Sequence, residues 1–209
     1  LEIDIYLPEL KIGFEFNGVY WHSALYKKPQ YHIDKTRKAA LKGIKIYHIW
    51  EDDFNEKPQI VKNCILALLG KNEKVYARKC TIREISNVQA REFFEANHIA
   101  GYVNSSIRMG LFLGETLVQA MAFSKSRYFN SKKGEESWEL TRLAAKGGIT
   151  VIGGASRLFE QFKKKINPEE VVSFCDISWS PVYEDTVYMK LGFALESQSA
   201  KKNTFSFNF

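Results

Sequence analysis

Cysteine is scarce in this chain and is not arranged for chemistry. Cys64, Cys80 and Cys175 are odd in number, lie far apart and include no CxxC pair. That excludes a disulfide framework, a cysteine-ligated zinc site and a dithiol redox motif, and it predicts a reducing cytosol. Proline is scarce too, at five residues against 45% hydrophobic content, so the chain is neither disordered nor fibrous. No apolar run approaches the roughly 20 residues of a membrane span. The opening Leu1-Glu2-Ile3-Asp4 lacks the basic and apolar parts of a signal peptide, so a soluble protein with no membrane partner is expected. The chain starts without Met inside a strand-like run, and an upstream segment is expected.

Acidic charge is in deficit. The net charge is +6 and the pI is near 9.1, which favours nucleic acid as a partner. Between Trp21 and Trp50 stand Lys27, Lys28, Lys35, Arg37, Lys38, Lys42 and Lys45 against the single acid Asp34, with His22, His32 and His48 among them. A solvated helix face would give the same run.

The 209 residues suffice for two small domains. Two alternating runs, Leu1–Leu7 and Leu10–Gly18, flank Pro8-Glu9 and predict a β-hairpin. The pattern predicts a helix over Tyr31–Leu41 stopped by Gly43, a strand over Ile44–Trp50, and an amphipathic helix from Pro58 to Gly70. Glu51-Asp52-Asp53 is spaced like a metal-binding cluster, or else suits the N-terminal dipole end of that last helix. The polar segment Lys71–Lys74 is the expected boundary, dividing the chain into residues 1–72 and 73–209. The second unit reads as a strand over Ala77–Ile85 and a helix over Asn87–Asn97. A hairpin turning at Gly114-Glu115 and a strand over Trp138–Ala144 follow. A helix opened by Gly153, a strand over Val171–Cys175 and a short helix over Thr186–Leu191 complete it.

Asp4 and Glu15 fall near the same end of the hairpin, where two carboxylates can converge on one cation, and hard oxygen ligands with open positions suit Mg²⁺ or Mn²⁺. Solvated acids on an edge hairpin are the alternative. Asp4, the turn and Glu15-Phe16-Asn17 resemble the core of PD-(D/E)XK nucleases. The run Phe14 to His22 is more particularly similar to the very short patch repair (Vsr) endonucleases and related phage homing endonucleases. The resemblance implies Asp4, Glu15 and the Phe16 carbonyl as metal ligands and His22 as a base or water-positioning group. Asn17 stands where lysine is usual, and where the Vsr proteins carry a second histidine. Their upstream acid would precede residue 1, and their zinc cysteines are missing. His32 and Lys35, three apart on one helix face, are further catalytic candidates for contact with a phosphate.

In the second half, Thr81–Ile85, the Gly114-Glu115 hairpin, Val151–Ala155 and Val187–Phe193 resemble the GNAT acyltransferase fold. The resemblance implies that Gly153 and Gly154 offer backbone N–H groups to the pyrophosphate of acetyl-CoA. Thr150 stands where that motif has Arg or Gln, which counts against bound acetyl-CoA. Glu139–Arg142, Gly154–Ser156, Ser173–Asp176 and Thr186–Tyr188 are similar to the GNAT-like Mom proteins of phages. This makes Arg142, Ser156, Asp176 and Tyr188 candidate site residues, or fold determinants alone.

The sequence thus predicts an α/β chain of two domains, a restriction-endonuclease-like mixed sheet with flanking helices followed by a GNAT-like domain. The expected activity is Mg²⁺-dependent hydrolysis of double-stranded DNA in the cytoplasm of a bacterial or phage-infected cell, with acetyl-CoA disfavoured. Lys27, Lys28, Arg37, Lys38, Lys125 and Arg127 are the expected DNA contacts. The alternatives are a DNA-modifying acyltransferase-type enzyme of GNAT or Mom kind, and a DNA-binding protein without activity.

Overall fold

A computed structural model describes residues 2–18, 30–125, 137–198 and 202–208. The hairpin is present: β1 (Ile5–Leu7) pairs antiparallel with β2 (Ile12–Asn17), Ile5 opposite Phe14. α1 (Gln30–Ala40) leads to β3 (Lys45–Trp50), which lies parallel to β2 and completes a three-stranded sheet. Glu51-Asp52-Asp53 serves a different helix from the expected one. These acids form the first turn of a separate helix, α2 (Glu51–Glu56), where carboxylates favour the N-terminal dipole end, and Pro58 then opens α3 (Pro58–Leu68). Ile12, Phe14, Tyr47, Ile49 and Val61 form the core between this sheet and α3.

The polar segment after α3 also differs from expectation. Glu73–Tyr76 is a strand, β4, parallel to β9 (Ile149–Ile152), and only Val75 in it is buried. Pairing makes this strand, since its own residues give no alternating pattern. A 3-10 turn at Ala77–Lys79 then separates β4 from β5 (Thr81–Glu84), so the expected strand over Ala77–Ile85 is shortened.

The largest sheet contains β5, β6 (Ile107–Leu113), β7 (Thr116–Lys125), β8 (Ser137–Ala145), β10 (Glu170–Asp176), β11 (Ala194–Gln198) and β12 (Lys202–Asn208), in the order β11-β12-β10-β8-β7-β6-β5. Helix α4 (Asn87–Asn97) opens with a capping box between Ser86 and Gln89 and sets Ala90, Phe93 and Phe94 against one face. Helix α5 (Gly154–Ile166) covers the other face with Leu158, Phe159 and Phe162, and the Phe123 and Phe162 rings stack with centroids 3.6 Å apart. Lys163, Lys164 and Lys165 in its last turn suit the helix C-terminus. A single turn, α6 (Val187–Lys190), follows β10. The fold is mixed α/β, and among the described residues no helix is long and apolar enough to cross a membrane.

Specific bonds join the three-stranded sheet and its helices to loops of the seven-stranded sheet. The His48 N–H donates to the Ser178 carbonyl at 3.1 Å and Trp50 Nε1 to Ser178 Oγ at 3.2 Å. Lys45 pairs with Asp185 at 2.6 Å, and Lys57 Nζ donates to the Ile99 carbonyl at 2.5 Å. Ile99 and Trp179 also pack on the smaller core. The β3 edge is therefore held against the segment between β10 and α6.

Candidate functional site

Two polar constellations are built by this framework, one at the three-stranded sheet and one at the seven-stranded sheet. In the smaller, Glu15 is 5% exposed and receives Lys35 Nζ at 2.5 Å. Its other oxygen accepts the Asp4 N–H at 3.3 Å, while Asp4 Oδ2 accepts the Phe16 N–H at 2.9 Å. The hairpin does bring the two acids together, yet Glu15 is neutralised by a lysine and Asp4 caps backbone. Asn17, 1% exposed, bonds His48 Nδ1 at 3.1 Å, and Thr36 Oγ1 bonds His48 Nε2 at 2.8 Å. The His32 ring meets His48 and Trp50 edge-on, both at 5.3 Å. His48, noted in the sequence only as part of the basic stretch, and Thr36 were not site candidates, because β2–β3 register and the packing of α1 on β3 bring them together beside Asn17. His22, Lys27, Lys28 and Arg127 lie outside the described residues. Arg37, Lys38 and Lys125 are exposed.

The second constellation begins with a defect in the large sheet. β8 and β10 run parallel and pair from Ser137/Glu170 to Leu140/Ser173, then stop. β8 continues to Ala145, still paired with β7, and β10 continues to Asp176, still paired with β12. The cause lies in β8. Ala122 opposes Arg142 and Phe123 opposes Leu140, so Thr141 is an extra residue, and such a bulge bends and twists its strand. Past Leu140 the facing edges of two central strands carry backbone groups without a ladder, a gap suited to an extended ligand with amides of its own.

Tyr188 of α6 reaches this point. Its ring stacks on Phe205 with centroids 5.0 Å apart. Burial, with Cys175 adding to it, pushes its phenol up to about 12, against the opposing influence of the Ser173 hydroxyl and the Arg142 guanidinium. The group is a proton-bearing donor near neutral pH. Arg142 itself is committed to the backbone, donating from Nε to Gly101 O at 2.7 Å, from Nη1 to Thr141 O at 2.7 Å and from Nη2 to Ala100 O at 3.3 Å. Burial lowers its pKa from the ordinary guanidinium value. Asp176 is exposed and accepts the Ser178 N–H at 2.8 Å.

Beside the gap, α5 starts without a side-chain cap. Gly153 is left-handed, with φ 75°, and the first helical bond runs from Arg157 N to Gly153 O. The N–H groups of Gly154, Ala155 and Ser156 are thus left for an outside acceptor, at the positive end of the helix. Ser156 is exposed in that turn. A cleft of about 490 Å³ lined by Tyr76, Ala77, Arg78, Ile152, Gly153 and Arg157 opens at the same end. Arg157 Nη1 holds the Ala77 and Cys80 carbonyls. The group implied by the GNAT resemblance, a CoA thioester with its diphosphate, fits this donor set. The N–H groups are uncapped, glycine keeps the approach open, and two arginines line the cleft.

No protein-family profile matches the chain, and no curated protein matches it. Solved structures do. A Bacillus subtilis acetyltransferase in complex with CoA is 13% identical, covers 63% of this chain and 99% of its own, and has a TM-score of 0.48. The PaiA N-acetyltransferase of Thermoplasma acidophilum in complex with coenzyme A is 17% identical over 62% and 99%, with a TM-score of 0.45. A GNAT family acetyltransferase from Elizabethkingia anophelis with acetyl-CoA bound is 11% identical over 63% and 99%, also at 0.45.

These findings correct the nuclease expectation. The three structures named are acetyltransferases, two in complex with CoA and one with acetyl-CoA bound. Among the described residues no three His, Cys, Asp or Glu side chains are placed to hold a metal ion. The proposed ligand set Asp4, Glu15 and Phe16 is engaged otherwise, Glu15 by Lys35 and Asp4 by the Phe16 amide. The expected hydrolase activity, its Mg²⁺ or Mn²⁺, and the disfavouring of acetyl-CoA are all overturned.

Proposed function

We infer that this chain is an acyltransferase-type enzyme that takes its acyl group from a CoA thioester and passes it to a nucleophile on DNA. The observation that carries the reading is the parting of β8 from β10 beside the uncapped, glycine-opened end of α5. The parted edges can take main-chain hydrogen bonds from the pantetheine amides, as an added strand would, and the α5 N–H groups suit the diphosphate. When bound, the cofactor supplies an activated thioester. Burial holds the proton on Tyr188 Oη, which is placed where the strands separate, so that proton is available to a leaving sulfur. Arg142 fixes the Ala100–Gly101 turn beside the gap, a positioning role. DNA as the acceptor is favoured by the net charge of +6 and by the exposed Arg37, Lys38 and Lys125. Residues 1–72 then act as a unit that delivers the 73–209 unit to its substrate, held to it through Ser178 and Asp185.

The test is acetyl-CoA-dependent thiol release with and without duplex DNA, with mass analysis of the bases. Release that needs DNA, a mass gain on a base and a kcat about 100-fold lower in Tyr188→Phe are the expected results. Unchanged acetyl-CoA in the presence of every duplex tried, with no detectable CoA binding, overturns the reading. Salt-sensitive DNA retention without CoA binding would leave a binding protein instead.

A further inference from the structure

Within the β7 run Leu117–Phe123 the lone polar residue is Gln119. It is 7% exposed, and its Oε1 is buried with no hydrogen-bond partner among the described residues. A second bulge explains where it points. Leu111 of β6 opposes Gln119 and Phe112 opposes Leu117, so Val118 is skipped. Val118 and Met121 belong to the core beneath α5, while Leu117 and Ala120 pack against the α4 side. Gln119 falls on the α5 side, and its carboxamide reaches the first turn of that helix. A Cβ on Gly154 would stand 3.0 Å from Gln119 Cδ and nearer still to Oε1. The amide occupies the space that the glycine leaves.

A buried acceptor without a donor is destabilising unless something favours it locally. Here the positive end of α5 does so, because it attracts the partial negative charge of Oε1. An anion at the same N–H groups reverses that preference, since Oε1 would then face negative charge and Nε2 would face an acceptor. Rotation about Cγ–Cδ exchanges the two atoms without changing volume. We propose that Gln119 is a ligand for a diphosphate bound at the first turn of α5, donating Nε2–H through the opening at Gly154, and that its carboxamide inverts on binding. This rests on the acyl-CoA reading for the identity of the ligand, but the anion chemistry can be measured apart from it.

The experiment is calorimetric titration of the full chain with inorganic pyrophosphate and, separately, with CoA, for the wild type, Gln119→Met and Gln119→Glu. The Gln119 side-chain amide is followed by ¹⁵N NMR in parallel. Losing one hydrogen bond to a charged acceptor should weaken both probes about tenfold in Gln119→Met. A carboxylate under the helix end should weaken them about 100-fold in Gln119→Glu. The amide resonance should move on pyrophosphate addition, and that shift decides the matter if a variant does not fold. Pyrophosphate binding that depends on Gln119 with no CoA binding supports this proposal and sinks the acyl-CoA reading. CoA binding indifferent to both substitutions, with a stationary amide resonance, overturns the proposal and leaves the reading standing. A wild type that binds neither probe overturns both.

Discussion

Stability should fall as pH drops below 6.5, and His98 is the reason. The residue closes α4, and its Nδ1 accepts the Ala100 N–H at 3.1 Å, so the neutral ring carries its proton on Nε2. Burial lowers its pKa to about 4, and the cations Arg142 and Lys57 add to the effect. Both cations are fixed by the adjacent turn, Lys57 on Ile99 O and Arg142 on Ala100 O and Gly101 O. In the unfolded chain the ring binds a proton near pH 6.5, and in the folded protein only near 4. The contribution is therefore complete above pH 6.5, is lost as pH falls from 6.5 towards 4, and changes no further below that. At about 1.4 kcal/mol for each pH unit of the gap, the loss is at most about 3.5 kcal/mol. His98→Asn can keep an acceptor for the Ala100 N–H but cannot titrate. Urea unfolding of both proteins at pH 7, 6, 5 and 4.5 isolates the effect, because carboxylate contributions cancel in the difference. The wild-type advantage should shrink steadily across that range. A difference constant to within about 0.5 kcal/mol, or a His98 ring titrating near 6.5 by NMR, refutes the reasoning.

The Glu15–Lys35 pair should behave as a coupled buried unit. Lys35→Met alone should cost about 3–5 kcal/mol by stranding a buried carboxylate, while Lys35→Met with Glu15→Gln recovers most of it; additive losses in urea unfolding would count against the pairing. Gly153→Ala should cost about 1 kcal/mol for its left-handed backbone, since its methyl would meet only Ala77 Cβ, in ordinary contact at 4.0 Å. Gly154→Ala should cost more, since its methyl would stand 2.7 Å from Val151 Cγ1 as well as against Gln119, and thermal melts showing the reverse order would contradict this account. Trp50→Phe removes the indole bond to Ser178 and should lower stability by about 1 kcal/mol, read as a shift in melting midpoint; an unchanged midpoint would mean that the contact between the two sheets gains nothing from it.

Much of this protein is set by local pattern, and physical rules of short range explain which parts. Alternation around Pro8-Glu9 determined the hairpin, Pro58 placed the start of α3, and Ser86 with Gln89 opened α4. Gly153 ahead of Leu158, Phe159 and Phe162 marked α5 and the N–H groups at its start. What pattern did not determine is whatever depends on a partner strand. Glu73–Tyr76 is a strand because Ile149–Ile152 lies beside it. Thr141 and Val118 are bulged only in the register of their neighbours, and those bulges part β8 from β10 and turn Gln119 towards α5. The meaning of the hairpin acids was likewise decided in three dimensions. Spacing gave Asp4 and Glu15 one end of a ribbon, but a lysine from α1, 20 residues further on, set the charge that Glu15 answers to. Local sequence fixes dihedral preference and which face is apolar, whereas register and the approach of distant side chains follow from packing of the whole chain, and it is there that the candidate site is made.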